Sequence, residues 1–227
     1  EGGIFLMYYF GGNFEETAIT NYLSNVVTDD STSTAIDDYK LKGMNMRIGV
    51  AVSQDGKTWG RVEGDDPTGA CMVPYDKKDP DTNRNNEYED DGKTDLDLTE
   101  ELYCAWPEVV VKIISESDTK QTGEQSGFFM YYSTMTKDTK EKCLAVAVSS
   151  DGFRWLKRGL CLQPTPNSLD DGGVARCNAV RNASYDTNTQ TWQDAPGYIM
   201  YYEGVSTTDQ KHGMMSLDIG CIMKVCP

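Results

Sequence analysis

The sequence has little positive charge and no long apolar run. Its 227 residues carry 21 Lys and Arg against 36 Asp and Glu, which gives a formal net charge of -15. A surface of this sign repels nucleic-acid phosphates and anionic lipid headgroups over about 10 Å at 0.1 M salt. No stretch of about 18 apolar residues suggests a membrane-spanning helix. We therefore expect a globular protein with neutral or basic ligands, without a nucleic-acid partner and without direct binding to anionic membranes.

The sequence also lacks Cys-x-x-Cys pairs, which makes a structural zinc site a poor interpretation. The nearest approach to a metal motif is residues 79–83, DPDTN, which have the oxygen spacing of a calcium loop. Arg84 stands where such a loop needs glycine, and a solvated acidic loop is the better interpretation. We expect no metal and no cofactor.

Seven cysteines are nevertheless present. Their number and the glycosylation sequon Asn182-Ala183-Ser184 favour an oxidising compartment, either secreted or the lumen of an organelle. Disulfides are then expected, and the odd count leaves at least one unpaired thiol, for which we favour Cys143. The first residues, Glu1-Gly2-Gly3, lack the basic and apolar regions of a signal peptide.

A repeated unit organises the chain. In its clearest copy, residues 127–159, an aromatic run at 128–133 precedes a run at 143–149 that alternates aliphatic residues with alanine. This period of two is typical of β-strands, and we predict that the two runs form a hairpin. Two further copies pair residues 5–9 with 47–53 and residues 198–202 with 213–218.

Each of the first two copies ends in a tight turn that carries a tryptophan. The sequences are SQDGKTW at 53–59 and SSDGFRW at 149–155. Glycine provides the left-handed conformation and the aspartate side chain binds turn amides, so we interpret Asp55 and Asp151 as structural residues. The tryptophan is expected to fold back between strands.

A further strand is predicted before the second and third hairpins. It covers residues 102–112 and 174–182, and we expect the first of these to begin near Pro107, which cannot donate to a strand ladder. A lead strand, an aromatic strand, a Val/Ala strand and an exit strand make up one propeller blade, which buries its faces by stacking on its neighbours. A β-sandwich would not require the same motif three times in the same order.

The order of lead strand, MYY run and AVSxDGxxW resembles the five-bladed β-propeller glycosidases, the superfamily of arabinanases, fructosidases and mannoside phosphorylases. The resemblance covers most of the chain outside two polar insertions, at 13–42 and 75–101. It implies an all-β propeller of four-stranded blades, three of them visible here. We expect residues 1–227 to form a single propeller domain or a fragment of one.

The resemblance also implies a central funnel in which carboxylates act on a sugar. The family's Arg-Asp-Pro motif is absent, since the corresponding positions read Trp106-Pro107-Glu108 and Arg176-Cys177-Asn178. Glu108 and Glu203 remain as candidate catalytic acids, although each also suits a structural or solvated role. Candidate substrate-binding residues are Trp106, Arg176, Asn178 and Arg181.

Two functions remain open from the sequence. In the first, the chain is a glycosidase-like propeller that binds or hydrolyses a neutral glycan in its funnel. In the second, it has lost its catalytic acids and is a non-catalytic interaction or structural subunit of a larger assembly, contacting a protein partner through its polar loops. The missing motif favours the second function, and the resemblance favours the first.

Overall fold

The computed structural model describes residues 3–22, 39–79, 98–112, 127–206 and 217–221. Within these ranges the fold is all-β, as expected, and a single 3₁₀ turn at Ile19–Tyr22 is the only helical element. No helix in the described ranges is long and apolar enough to cross a membrane. His212 and residues 213–216 of the predicted third hairpin lie outside these ranges, as do parts of both polar insertions.

The described ranges contain twelve strands, which are β1 Phe5–Gly12, β2 Thr17–Ala18, β3 Lys40–Leu41, β4 Met46–Ser53, β5 Gly60–Val62, β6 Glu101–Lys112, β7 Gly127–Thr136, β8 Lys142–Ser149, β9 Leu156–Leu162, β10 Gly173–Asp186, β11 Thr191–Val205 and β12 Leu217–Cys221. Sheet 1 has the order β1-β4-β5, sheet 2 the order β6-β7-β8-β9 and sheet 3 the order β10-β11-β12, while β2 and β3 form a separate ribbon. All pairings are antiparallel.

The strand register confirms the repeated unit. Met7 pairs with Ala51 in sheet 1, and Met130 pairs with Ala147 in sheet 2, so corresponding residues of the MYY runs face corresponding alanines. In sheet 3 the partner of the aromatic strand is β12, where Tyr202 pairs with Gly220. Residues 217–218 of the predicted strand lie in β12, which extends three residues further, to Cys221.

The three sheets pack in chain order. The Met130 and Tyr132 face of sheet 2 is fully buried against Ile48 and Val50 of sheet 1. The opposite face of sheet 2, which carries Leu144, packs on the Met-Tyr face of sheet 3. The methionine and the second tyrosine of each MYY run, Met130 and Tyr132 in sheet 2 and Met200 and Tyr202 in sheet 3, therefore pack on the sheet that precedes their own in the chain.

The tryptophan turns have the structural role that the sequence predicts for them. Asp151 Oδ1 accepts hydrogen bonds from the backbone amides of Phe153 and Arg154 at 2.7 and 2.9 Å. The first copy repeats this arrangement, because Asp55 Oδ1 accepts from the amides two and three residues later. The indole of Trp155 is consequently held in the core between sheets 1 and 2, with 1% of its surface exposed.

Both polar insertions are closed at their base by hydrogen bonds. The amide of Gly43 donates to the carbonyl of Asn13 at 2.8 Å, which brings the ends of the first insertion together beside β1. In the second, the Glu101 amide donates to the Tyr75 carbonyl at 2.9 Å. Since β6 begins at Glu101, the strand starts earlier than predicted and contains Pro107 in its interior.

The expectation of disulfides is not supported. The cysteines at 71, 104, 143, 161 and 177, which are those with described side chains, are all thiols. Cys143 is one of these thiols, so its unpaired state does not set it apart. The number of cysteines and the glycosylation sequon do not indicate which cysteine side chains face each other, and disulfide formation depends on that geometry.

Candidate functional site

Two lead strands carry a bulge at the same place in the repeat. The register of β6 shifts between Ala105 and Glu108, and that of β10 shifts between Ala175 and Cys177. At these shifts Trp106 has a φ of 49° and Arg176 a φ of 37°. Non-glycine residues with positive φ are uncommon and concentrate at functional sites. Pro107 is tolerated within β6 because this strand lies at the edge of sheet 2 and is bulged there.

Each bulge contacts the preceding sheet at an equivalent residue, the one that follows the Tyr-Tyr pair. The ring of Trp106 packs on Phe10 of β1 with centroids 4.9 Å apart. The amide of Arg176 donates a hydrogen bond to Ser133 Oγ of β7 at 2.8 Å. The first contact joins the bulge of β6 to sheet 1, and the second joins the bulge of β10 to sheet 2.

Arg176 contacts two other sequence-predicted site residues, Trp106 and Glu203. Its guanidinium lies over the Trp106 ring, 5.0 Å from the centroid. Its Nη1 also forms an ion pair with Glu203 Oε1 at 3.0 Å. This ion pair is partly exposed, so it contributes little to stability by itself. Its effect is to fix the orientation of a carboxylate and a guanidinium beside an aromatic ring.

A pocket of about 440 Å³ opens at the two bulges, and we refer to it as the bulge pocket. Three sheets contribute residues to its wall, four of them aromatic. Burial raises the pKa of the Cys177 thiol to about 12, so this thiol is protonated at neutral pH. The lining residues are Tyr8, Tyr9, Phe10, Trp106, Pro107, Arg176 and Cys177.

Glu108 lies next to the bulge of β6 but does not line the bulge pocket. Its Oε1 accepts hydrogen bonds from Asn178 Nδ2 at 2.9 Å and from the amide of Ala179 at 3.3 Å. Burial raises the pKa of Glu108, and the Ala179 hydrogen bond opposes this only in part. A half-buried carboxyl with a raised pKa suits proton donation, and it equally suits a link between β6 and β10.

The sequence-predicted residues thus fall into two groups and an outlier. Trp106, Arg176 and Glu203 are in mutual contact through the arginine, while Glu108 and Asn178 form a second pair. Arg181 lies further along β10, and its Nη2 is 3.5 Å from the carbonyl of Val111. The structure does not bring Arg181 into the bulge pocket.

Three residues of β1 that were not predicted as site residues, Tyr8, Tyr9 and Phe10, line the bulge pocket. The sequence marks the two tyrosines only as part of the repeated aromatic strand. Phe10 occupies the place of Ser133 and Glu203 in the repeat, as the matching registers show. Comparing the three copies at this position would have identified it, because the copies differ there directly after a tyrosine pair that all three share.

No match to this chain was found among protein-family models, curated protein sequences or solved structures. Within the described ranges, no group of three or more His, Cys, Asp and Glu residues is arranged to hold a metal ion. The chemistry of the site must therefore be inferred from its own side chains.

Proposed function

We propose that this chain is a glycosidase-like β-propeller that binds a neutral glycan in the bulge pocket. The stacking of three similar antiparallel sheets in chain order supports the propeller arrangement. Lead strands β6 and β10 both bring their bulges to one pocket, which is where the resemblance places a funnel. The resemblance to propeller glycosidases supplies the substrate class.

The aromatic lining of the bulge pocket carries the proposal. Four aromatic residues, Tyr8, Tyr9, Phe10 and Trp106, line a space of about 440 Å³, within the usual range for small-ligand sites. Aromatic rings offer flat apolar faces to the C–H groups of a sugar ring, and Arg176, paired with Glu203, offers donors to its hydroxyls. Since that pair is internally neutralised, an uncharged ligand fits it better than a charged one.

Hydrolysis would use the two candidate acids in different roles. Glycoside hydrolysis needs one carboxylic acid that protonates the leaving oxygen and one carboxylate that attacks or activates water. Glu108, with its raised pKa, suits the proton donor, and Glu203, held by Arg176, suits the carboxylate. Neither residue lines the bulge pocket, and both side chains are engaged by protein donors, which favours binding over turnover as the retained activity.

A screen of neutral oligosaccharides for binding, together with chromogenic furanosides for turnover, tests the proposal. Wild-type turnover that is lost in both Glu108→Gln and Glu203→Gln, with glycan binding retained, would establish hydrolysis. Binding without turnover would establish a glycan-binding protein. Neither binding nor turnover by the folded wild-type protein would refute the proposed function.

A non-catalytic interaction subunit is the second candidate, and one observation favours it. Beyond the β10 bulge, the β10–β11 hairpin carries an aromatic pair, Tyr185 and Trp192, with centroids 5.4 Å apart. Trp192 is 71% exposed and Tyr185 50% exposed, so the pair forms an exposed aromatic patch of the kind that a protein partner covers. This candidate would be supported if Trp106→Ala still binds a protein partner and Trp192→Ala does not.

A further inference from the structure

A buried cluster outside the bulge pocket brings a cysteine and a lysine into direct contact. Lys157 Nζ lies 3.2 Å from Cys104 Sγ, and Cys104 is fully buried while Lys157 is 6% exposed. Lys157 also forms a short ion pair with Glu101, which is 8% exposed. The Tyr132 hydroxyl donates to the other carboxylate oxygen at 2.8 Å.

Small residues in sheet 2 leave room for the Lys157 side chain to reach Cys104. Lys157 lies on β9 and Cys104 on β6, the two edges of sheet 2. Lys157 pairs with Ala147, and Tyr132 with Ala145, so two small side chains lie on the face that the lysine side chain must cross. Its ammonium ends 5.0 Å from the centroid of the Tyr132 ring. A larger residue at either alanine would occupy the space that the lysine side chain needs.

We propose that Cys104 and Lys157 form a covalent nitrogen–oxygen–sulfur bridge in the presence of dioxygen, a redox modification site that joins the two edge strands of sheet 2. The reactive atoms already lie at contact distance, and burial excludes competing nucleophiles from solvent. A cavity of about 10 Å³ borders Glu101, Tyr132 and Lys157, which is about the space of one water-sized molecule.

The reaction balances with one dioxygen. The Cys104 thiol, the Lys157 ammonium and O₂ give the S–O–NH bridge, one water and one proton, and the Glu101 carboxylate accepts the proton. An S–O and an N–O bond form, while the O–O bond, the S–H bond and two N–H bonds break. Sulfur and nitrogen each lose two electrons, and dioxygen takes up all four.

The surroundings favour Cys104 over other thiols of similar burial. Its thiol lies 3.6 Å from Glu101 Oε2, so the proton acceptor lies beside the sulfur. Cys143 is also fully buried, but its thiol is directed at the carbonyl of Glu141. Burial raises the pKa of both thiols and keeps them protonated, so a neighbouring base is required for oxidation. Glu101 meets that requirement at Cys104.

Peptide mapping by mass spectrometry tests the bridge. Protein purified with reductant under nitrogen is divided, and one half is exposed to air-saturated buffer before denaturation, alkylation and digestion. We expect the oxidised half to yield a peptide that joins Cys104 to Lys157, heavier than its two parts by one oxygen less two hydrogens. Dithiothreitol should remove it, and the oxidised protein should unfold at a higher temperature, since residues 104–157 then form a closed loop.

Cys143 is the internal control, because its alkylation should be the same in both halves. Lys157→Arg keeps a cation beside Glu101 but has no primary amine, so in that variant Cys104 should stay fully alkylatable. The proposal is overturned if wild-type Cys104 is alkylated after exposure as fully as Cys143. Oxidation of Cys104 to a sulfinic acid without the linked peptide would overturn it equally.

Discussion

The hydroxyl of Tyr8 donates a hydrogen bond to the backbone carbonyl of Gly152 at 2.8 Å, across 144 positions of sequence. The same tyrosine ring meets Trp155 edge-on, with centroids 5.6 Å apart. A residue of the first aromatic strand therefore closes on the tryptophan turn of the second unit. This contact joins sheet 1 to sheet 2 at a polar atom that would otherwise lack a partner in the interface.

Replacing Tyr8 by phenylalanine should lower the free energy of unfolding by about 1 kcal/mol, the usual net value of one such hydrogen bond. Denaturant unfolding measures the change. Tyr201 is the equivalent residue of the third unit and is 40% exposed, so Tyr201→Phe should change stability by less than about 0.5 kcal/mol. Equal losses in the two variants would show that the Gly152 contact contributes nothing specific.

The Asp151 turn should give a stability that depends on pH. Burial alone would raise the pKa of Asp151, but the amides of Arg154 and Phe153, the Ser149 hydroxyl and the Arg154 charge together hold the pKa below its ordinary value. A carboxylate with a lowered pKa in the folded state contributes stability above its unfolded pKa of about 4, and this contribution is lost as the pH falls further.

Asp151→Ala should therefore cost about 1 kcal/mol at pH 7 and progressively less as the pH falls below about 4. Asp151→Asn keeps one acceptor oxygen without the charge, so it should lose less at pH 7 and show no acid dependence from this site. Urea unfolding at a series of pH values measures both. A loss in Asp151→Ala that is the same at pH 7 and pH 3 would contradict the assignment.

Equivalent methionines should differ strongly in their contribution to stability. Met130 is fully buried between sheets 1 and 2, whereas Met7, at the same place in sheet 1, is 39% exposed. Met130→Ala should cost about 3 kcal/mol, because it removes buried area and leaves a cavity. Met7→Ala should cost less than about 1 kcal/mol. Similar losses at the two sites would mean that Met7 is covered in solution, which the propeller proposal explains by a further sheet on that face.

The sequence predicted the repeated unit because the local signals agree with the packing. Alternation, turn glycines and turn aspartates all follow from contacts within about ten residues, and the paired registers of β1–β4 and β7–β8 confirm them. The prediction covered only residues 217–218 of β12, because the motif fades after them. The pairing of Tyr202 with Gly220 and of Tyr201 with Cys221 carries the strand further.

The site was predictable only in part. Trp106, Arg176 and Glu203 could be chosen because the copies differ at these places, but their mutual contacts depend on two bulges, of which only the one in β6 has a local signal, Pro107. Pro107 suggested the start of a strand, whereas it lies inside one. The cluster of Glu101, Cys104 and Lys157 was not predicted. Its members lie on opposite edges of sheet 2, and the sequence shows this proximity only indirectly, through the two small residues Ala145 and Ala147 on a strand between them.

Glycan binding in the bulge pocket is the central claim, and calorimetric titration of a neutral oligosaccharide from the screen tests it most directly. Wild-type protein is compared with Trp106→Ala, which removes a wall of the bulge pocket, and with Trp192→Ala, which removes an exposed tryptophan elsewhere. Loss of one stacking ring should weaken binding about tenfold or more, equivalent to at least 1.4 kcal/mol, in Trp106→Ala alone. Unchanged affinity in folded Trp106→Ala, or an equal loss in Trp192→Ala, would contradict the claim.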